Sequence, residues 1–168
     1  MPAERQPRLQ LRPLTVDAYR ALQGLATTVS DGAQDVGIDP ALRDLINIRA
    51  SQINGCAFCI DLHVREARER GDDEQRIYSL AVWRDVTFFT ARERAVLSLT
   101  ESITLIHDGR LPDAVYEAAR AELSDAEIAH VVWVIAIINV YNRLAISTRM
   151  SPSRRVEDSQ PPALKGVR

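Results

Sequence analysis

Two thiols and an imidazole stand close together in the run Asn54-Gly55-Cys56-Ala57-Phe58-Cys59-Ile60-Asp61-Leu62-His63, and the chain has no other cysteine. Asn54-Gly55 is a break signal, and the residues after it follow a helical pattern. The cysteines therefore open a helix. At about 100° per residue, Cys59 falls about 60° behind Cys56 and His63 about 20° behind it, so all three share one face. The dipole and the free N–H groups of a helix N-terminus favour thiolate, the reactive form of cysteine. A thiol also needs a base to take its proton. Histidine as a residue type titrates near neutral pH, and His63 stands one turn after Cys59. The spacing thus describes redox chemistry. A thiolate attacks a peroxide oxygen and becomes sulfenic acid. The second thiol condenses with it to a disulfide and water, and an outside dithiol restores the pair.

A carboxylate commonly orients such a histidine. Asp44, on the polar stripe Asp44-Asn47-Ser51 of the preceding predicted helix, is the candidate. Asp61 is nearer in sequence but lies about 200° from Cys59 on a helix and points elsewhere. Other readings of the same residues stay open. The cysteines could be small core residues. Cys56, Cys59 and His63, with Asp44 as a fourth ligand, could hold zinc, although structural zinc usually has a second ligand pair and this chain has none. The thiols could also be vestigial in a non-catalytic helical interaction protein. Haem attachment is excluded, because Ile60 and not histidine follows Cys59.

The elements that must position this run belong to a chain of 168 residues, one domain in length. It is 46% hydrophobic and 26% charged with a formal charge of −2, an ordinary globular balance that offers no basic field for nucleic acid. Residues 1–14 carry three prolines and three arginines without the apolar stretch of a signal peptide, and read as an extended arm. A helix is expected from Thr15 to about Val29, stopped by Ser30-Asp31-Gly32. Asp39 as N-cap and Pro40 at the first position open the next, to Ile53. The cysteine helix follows, to about Arg70, with Gly71 as its stop. Its end, residues 65–70, is charged all round and expected in water. A short helix from Asp72-Asp73 reaches about Trp83. Thr90 to Glu93 and Ser124 to Glu127 are capping boxes. The first opens a helix that Gly109 ends, and the second opens the long apolar helix to Ile146. Between them Pro112 opens a short helix to about Glu122. Ile128–Ile146 contains His130, Asn139, Asn142 and Arg143, which are costly in a bilayer, so a buried core helix and no membrane contact are expected. The expectation is all-α: a single helical domain of about six to seven helices over residues 15–150, with 151–168 a flexible tail or intersubunit arm. A cytoplasmic location is expected, where a C-x-x-C pair is catalytic or metal-binding more often than a permanent bridge.

The stretch Ile48 to His63 resembles the core motif of the alkyl hydroperoxidase D-like (AhpD-like) branch of the carboxymuconolactone decarboxylase superfamily. The similarity continues through Leu80-Ala81-Val82-Trp83-Arg84, Phe89 to Ala95, and Ile138-Asn139-Val140-Tyr141-Asn142-Arg143. The resemblance implies a homo-oligomer, trimer or hexamer, and a cofactor-free thiol peroxidase that reduces alkyl hydroperoxide or hydrogen peroxide. It implies Cys59 as the peroxidatic thiolate, Cys56 as the resolving thiol, His63 as proton relay, and a dithiol or protein-disulfide reductant as partner. The family places a glutamate twelve residues before the first cysteine. Asp44 stands there, one methylene shorter. Lactone decarboxylases of the superfamily lack the cysteine pair, so decarboxylation is not the expected activity.

Overall fold

The computed structural model describes residues 6–153. Among them are eight α-helices and no strand. They are α1 (Leu11–Leu14), α2 (Val16–Asp35), α3 (Pro40–Asn54), α4 (Ala57–Glu69), α5 (Glu74–Ser79), α6 (Ala91–Thr104), α7 (Asp113–Arg120) and α8 (Asp125–Thr148). A 3₁₀ segment, Leu80–Asp85, joins α5 to α6. The all-α expectation holds, with more helices than the six to seven expected, because the four-residue α1 forms inside the stretch read as an arm. The rest of the arm's described part lies on the end of α8, where the Arg8 N–H donates to the Thr148 carbonyl at 3.0 Å. Residues 1–5 and 154–168, the outer ends of the arm and of the C-terminal tail, lie outside the described residues.

The caps form where the side chains call for them. Asp39 accepts from the Leu42 N–H at 2.8 Å with Pro40 in the first turn. Thr90 with Glu93, and Ser124 with Glu127, close both capping boxes. Each cap satisfies donors that the first turn leaves orphaned, worth about 1 kcal/mol. One expected stop does not form. Helix α2 runs through Ser30-Asp31-Gly32 to Asp35 and ends at Gly37, whose φ is +92°. Gly32 serves packing instead: a Cβ there would lie 2.9 Å from Nε2 of His130 on α8. The glycine lets two helices approach closely, which a turn signal read alone does not reveal.

Helix α3 is the centre of the molecule, packed on α4, α6 and α8. Leu45, Ile46 and Ile48 of α3, Val96, Leu97 and Leu99 of α6, and Val131, Ile135 and Ile138 of α8 form a common core. Burial of each such side chain contributes about 1.5–3 kcal/mol. Helix α8 is long and apolar enough, by length and composition, to cross a bilayer. Here one face of it is core, while Val132, Trp133 and Val140 on the other face are exposed.

Candidate active site

Helices α3 and α4 form an antiparallel hairpin. The chain reverses at Gly55, whose φ of +71° lies in the left-handed region that glycine enters without strain. Cys56 is the N-cap of α4, and its sulfur accepts from the Cys59 N–H at 3.3 Å. Cys56 and Cys59 are joined as a disulfide with Cα atoms 5.4 Å apart, within the ordinary range for a bridged pair. Both cysteines are buried. Bonded to one another, the two sulfurs are not free to act as thiolate ligands to a metal.

The turn that carries them is braced by α8. Asn54 donates from Nδ2 to Oδ1 of Asn139 at 3.0 Å and of Asn142 at 2.8 Å. Asn142, fully buried, donates in turn to Ser51 Oγ at 3.0 Å, and Asn139 donates to Thr104 Oγ1 at 3.1 Å. A ladder of satisfied amides inside an apolar helix fixes one register of α8 against the C-x-x-C turn. Asn139 and Asn142 were visible in the sequence as polar residues within an apolar run, a signal for a positioning role that bilayer arithmetic alone does not extract.

His63 lies one turn beyond Cys59 on α4 and is largely buried, its side chain 16% exposed. Its Nδ1 is 2.9 Å from Oε2 of Glu66. That hydrogen bond holds the Glu66 carboxyl below its ordinary range, although burial opposes it. Glu66 is therefore ionised and can only accept, so Nδ1 carries the proton and Nε2 is the free ring nitrogen. Asp44 is 3% exposed and is bound by the Arg70 guanidinium, whose Nε donates to Oδ2 at 2.7 Å and whose Nη2 also donates to it. Burial nonetheless pushes the Asp44 carboxyl above its ordinary range, with Arg70 pulling the other way. Asp44, His63 and Glu66 offer atoms that all lie within 4.8 Å of one another. The Asp44 charge is matched by Arg70, and Glu66 accepts the imidazole N–H.

Residues 65–70 thus differ from the expectation of a wholly solvated end. Ala67 is buried, while Glu66 and Arg70 turn toward α3. They fall at three and seven residues after His63, on the face of the imidazole. That spacing was the available signal, hidden because every neighbour except Ala67 is also charged.

Two cavities flank the hairpin. One, of about 530 Å³, opens on Gly55, Cys56 and Ala57 beneath Ile146, Arg149 and Met150 at the end of α8. The other, of about 190 Å³, lies between α2, α3, α4 and α8 and is lined by Val29, Asn47, His63, Val134, Ile138 and Tyr141. Cys56 faces the first cavity and His63 the second.

Comparison with known proteins agrees with this architecture. The carboxymuconolactone decarboxylase family model matches residues 17–102. YdfG of Bacillus subtilis, an uncharacterized protein, is 44% identical over 110 residues, covering 66% of this chain and 75% of that protein. The crystal structure of ATU0492 from Agrobacterium tumefaciens, a protein of unknown function named for the antioxidant defence protein AhpD, superposes with a TM-score of 0.83 at 37% identity. It covers 89% of this chain and 100% of its own. An uncharacterized peroxidase-related protein with an alkylhydroperoxidase AhpD core, from Ralstonia eutropha JMP134, shares the fold at a TM-score of 0.74 and 21% identity. The match covers 84% of this chain and 74% of that one. The match across the cysteine hairpin, together with the all-helical fold built around it, establishes that the chain belongs to the carboxymuconolactone decarboxylase family and has the AhpD-like fold.

Proposed function

We propose that the protein is a cofactor-free thiol peroxidase, reducing alkyl hydroperoxide or hydrogen peroxide through its cysteine pair. The observation that carries this reading is the Cys56–Cys59 disulfide at the start of α4, with an imidazole one turn on whose Nδ1 is tied to a carboxylate. In the reduced protein, His63 Nε2 takes the Cys59 proton. The Cys59 thiolate attacks the distal peroxide oxygen, the O–O bond breaks, and the leaving alkoxide or hydroxide takes up a proton. Cys59 is then a sulfenic acid. The Cys56 thiol displaces its hydroxyl as water, forming the disulfide. An external dithiol attacks Cys56, the sulfur lining the larger cavity, and Cys59 leaves as thiolate. Reductant resolution through the mixed disulfide returns both thiols.

The exposed apolar face of α8, with Trp133 51% exposed, supports a homo-oligomer, and the family resemblance implies a trimer or hexamer. A cytoplasmic location goes with a pair that must be reduced after each cycle. The test is consumption of hydrogen peroxide and of an organic hydroperoxide by reduced protein in the presence of a dithiol. Sustained turnover that needs both supports the reading. No peroxide loss with small dithiols and with a protein dithiol donor would refute it.

A further inference from the structure

The geometry points to Glu66 as the positioning residue of the His63 proton relay, in place of the carboxylate twelve residues before Cys56. This assignment rests on the peroxidase reading of the cysteine pair. The Nδ1 of His63 bonds Glu66 Oε2 at 2.9 Å, whereas the bonds that Asp44 Oδ2 accepts come from Arg70. A shorter side chain on α3, clamped by a guanidinium from the end of α4, leaves the imidazole to a carboxylate on its own helix. Being three residues apart on α4, His63 and Glu66 move together whatever α3 does.

The consequence is electrostatic. Proton transfer from Cys59 to Nε2 creates an imidazolium, and the Glu66 charge stabilises it through the Nδ1–H bond. The thiolate–imidazolium pair therefore forms at a lower pH than it would without Glu66. Two charged neighbours on α3 have partners of their own. Asp44 on α3 is bound by Arg70 of α4, and Arg43 on α3 donates to the carbonyls of Ser30 and Ile38. Tyr141 on α8 lines the same cavity. The remaining ionised carboxylate in contact with the ring is Glu66.

The test is thiolate formation against pH, read from ultraviolet thiolate absorbance of the reduced full chain, beside stopped-flow oxidation by hydrogen peroxide. Glu66→Gln keeps an acceptor for Nδ1–H and removes the charge. Its thiolate should appear at a pH about one unit higher, and its oxidation at neutral pH should slow at least about tenfold. Glu66→Asp, which keeps the charge, should fall nearer wild type than Glu66→Gln, and Asp44→Asn should shift the thiolate midpoint less than Glu66→Gln does. A Glu66→Gln profile equal to wild type, a Glu66→Asp profile equal to that of Glu66→Gln, or a larger shift in Asp44→Asn would overturn the assignment. Should wild type form its thiolate and yet ignore peroxide, the peroxidase reading fails, while the thiolate titration still decides the role of Glu66.

Discussion

The Asp44–Arg70 pair is asymmetric, and removing its two halves should cost unequal amounts. Asp44 is 3% exposed, whereas the Arg70 side chain is 40% exposed. Asp44→Asn loses charge-assisted hydrogen bonds but also relieves the burial that pushes this carboxyl up, and the freed guanidinium can turn to water. The expected net cost is about 0.5–1.5 kcal/mol. Arg70→Met keeps the stem and strands a carboxylate in the interior. Breaking a buried pair this way costs about 3–5 kcal/mol, less here because the carboxyl can protonate, so about 2–4 kcal/mol at neutral pH. At roughly 2–4 °C per kcal/mol for a domain of this size, that is a melting drop of roughly 5–15 °C against a few degrees for Asp44→Asn. The pH dependence follows in sign. A carboxyl whose folded value is raised favours the protonated form in the fold, so the Arg70→Met deficit is smallest at low pH. It grows as pH rises from the unfolded carboxyl value toward the folded one. The double variant Asp44→Asn/Arg70→Met should recover most of the loss. The assay is thermal melting from acid to mildly alkaline pH at one fixed protein concentration, since association shifts the midpoint. An Asp44→Asn melt lower than that of Arg70→Met, or an Arg70→Met deficit independent of pH, would refute the reasoning.

Three further outcomes are expected. Cys59→Ser abolishes peroxide reduction, while Cys56→Ser reacts once and stalls as sulfenic acid; single turnover kept only in Cys59→Ser would reverse the two roles. Sedimentation should find a homo-oligomer at micromolar concentration, with Trp133→Glu on the exposed face of α8 shifting it to smaller species; a stable wild-type monomer would contradict this. The bond from Arg92, with those from Ser124, holds Glu127 at about 2 against an ordinary 4.5. A lowered carboxyl contributes stability above its unfolded value that is lost as pH falls through the folded one, so Glu127→Gln should flatten the acid limb by about 1–3 kcal/mol, the lower part because Arg92 is partly exposed. An acid-unfolding profile unchanged in Glu127→Gln would count against it.

The parts of the fold legible in the sequence were those carried by local chemistry. Asp39-Pro40, both capping boxes and Gly71 act through bonds within a few residues, and each marks a real boundary. Gly109 does not end its helix: α6 stops at Thr104, and Gly109 closes the turn that follows. Gly32 misled because its role is tertiary: it makes room for His130, and the helix continues through it. At the site, the C-x-x-C turn and His63 were readable from spacing alone. Which carboxylate bonds the imidazole was not, because the partner that Asp44 takes is Arg70. That residue reaches Asp44 only when α4 folds back along α3. Glu101, another carboxylate within the chain's reach, is engaged by Arg49, Trp83 and Arg84, which hold it below its ordinary range although burial opposes them.

The central claim is that peroxide oxidises this cysteine pair to a disulfide within one chain. Fully reduced protein is mixed with one equivalent of peroxide, quenched, and weighed intact by mass spectrometry under denaturing conditions. The account predicts a loss of two hydrogens per chain, reversed by a dithiol, with no added oxygen remaining. An unchanged mass, a persistent added oxygen in place of the lost hydrogens, or disulfides joining separate chains would contradict it.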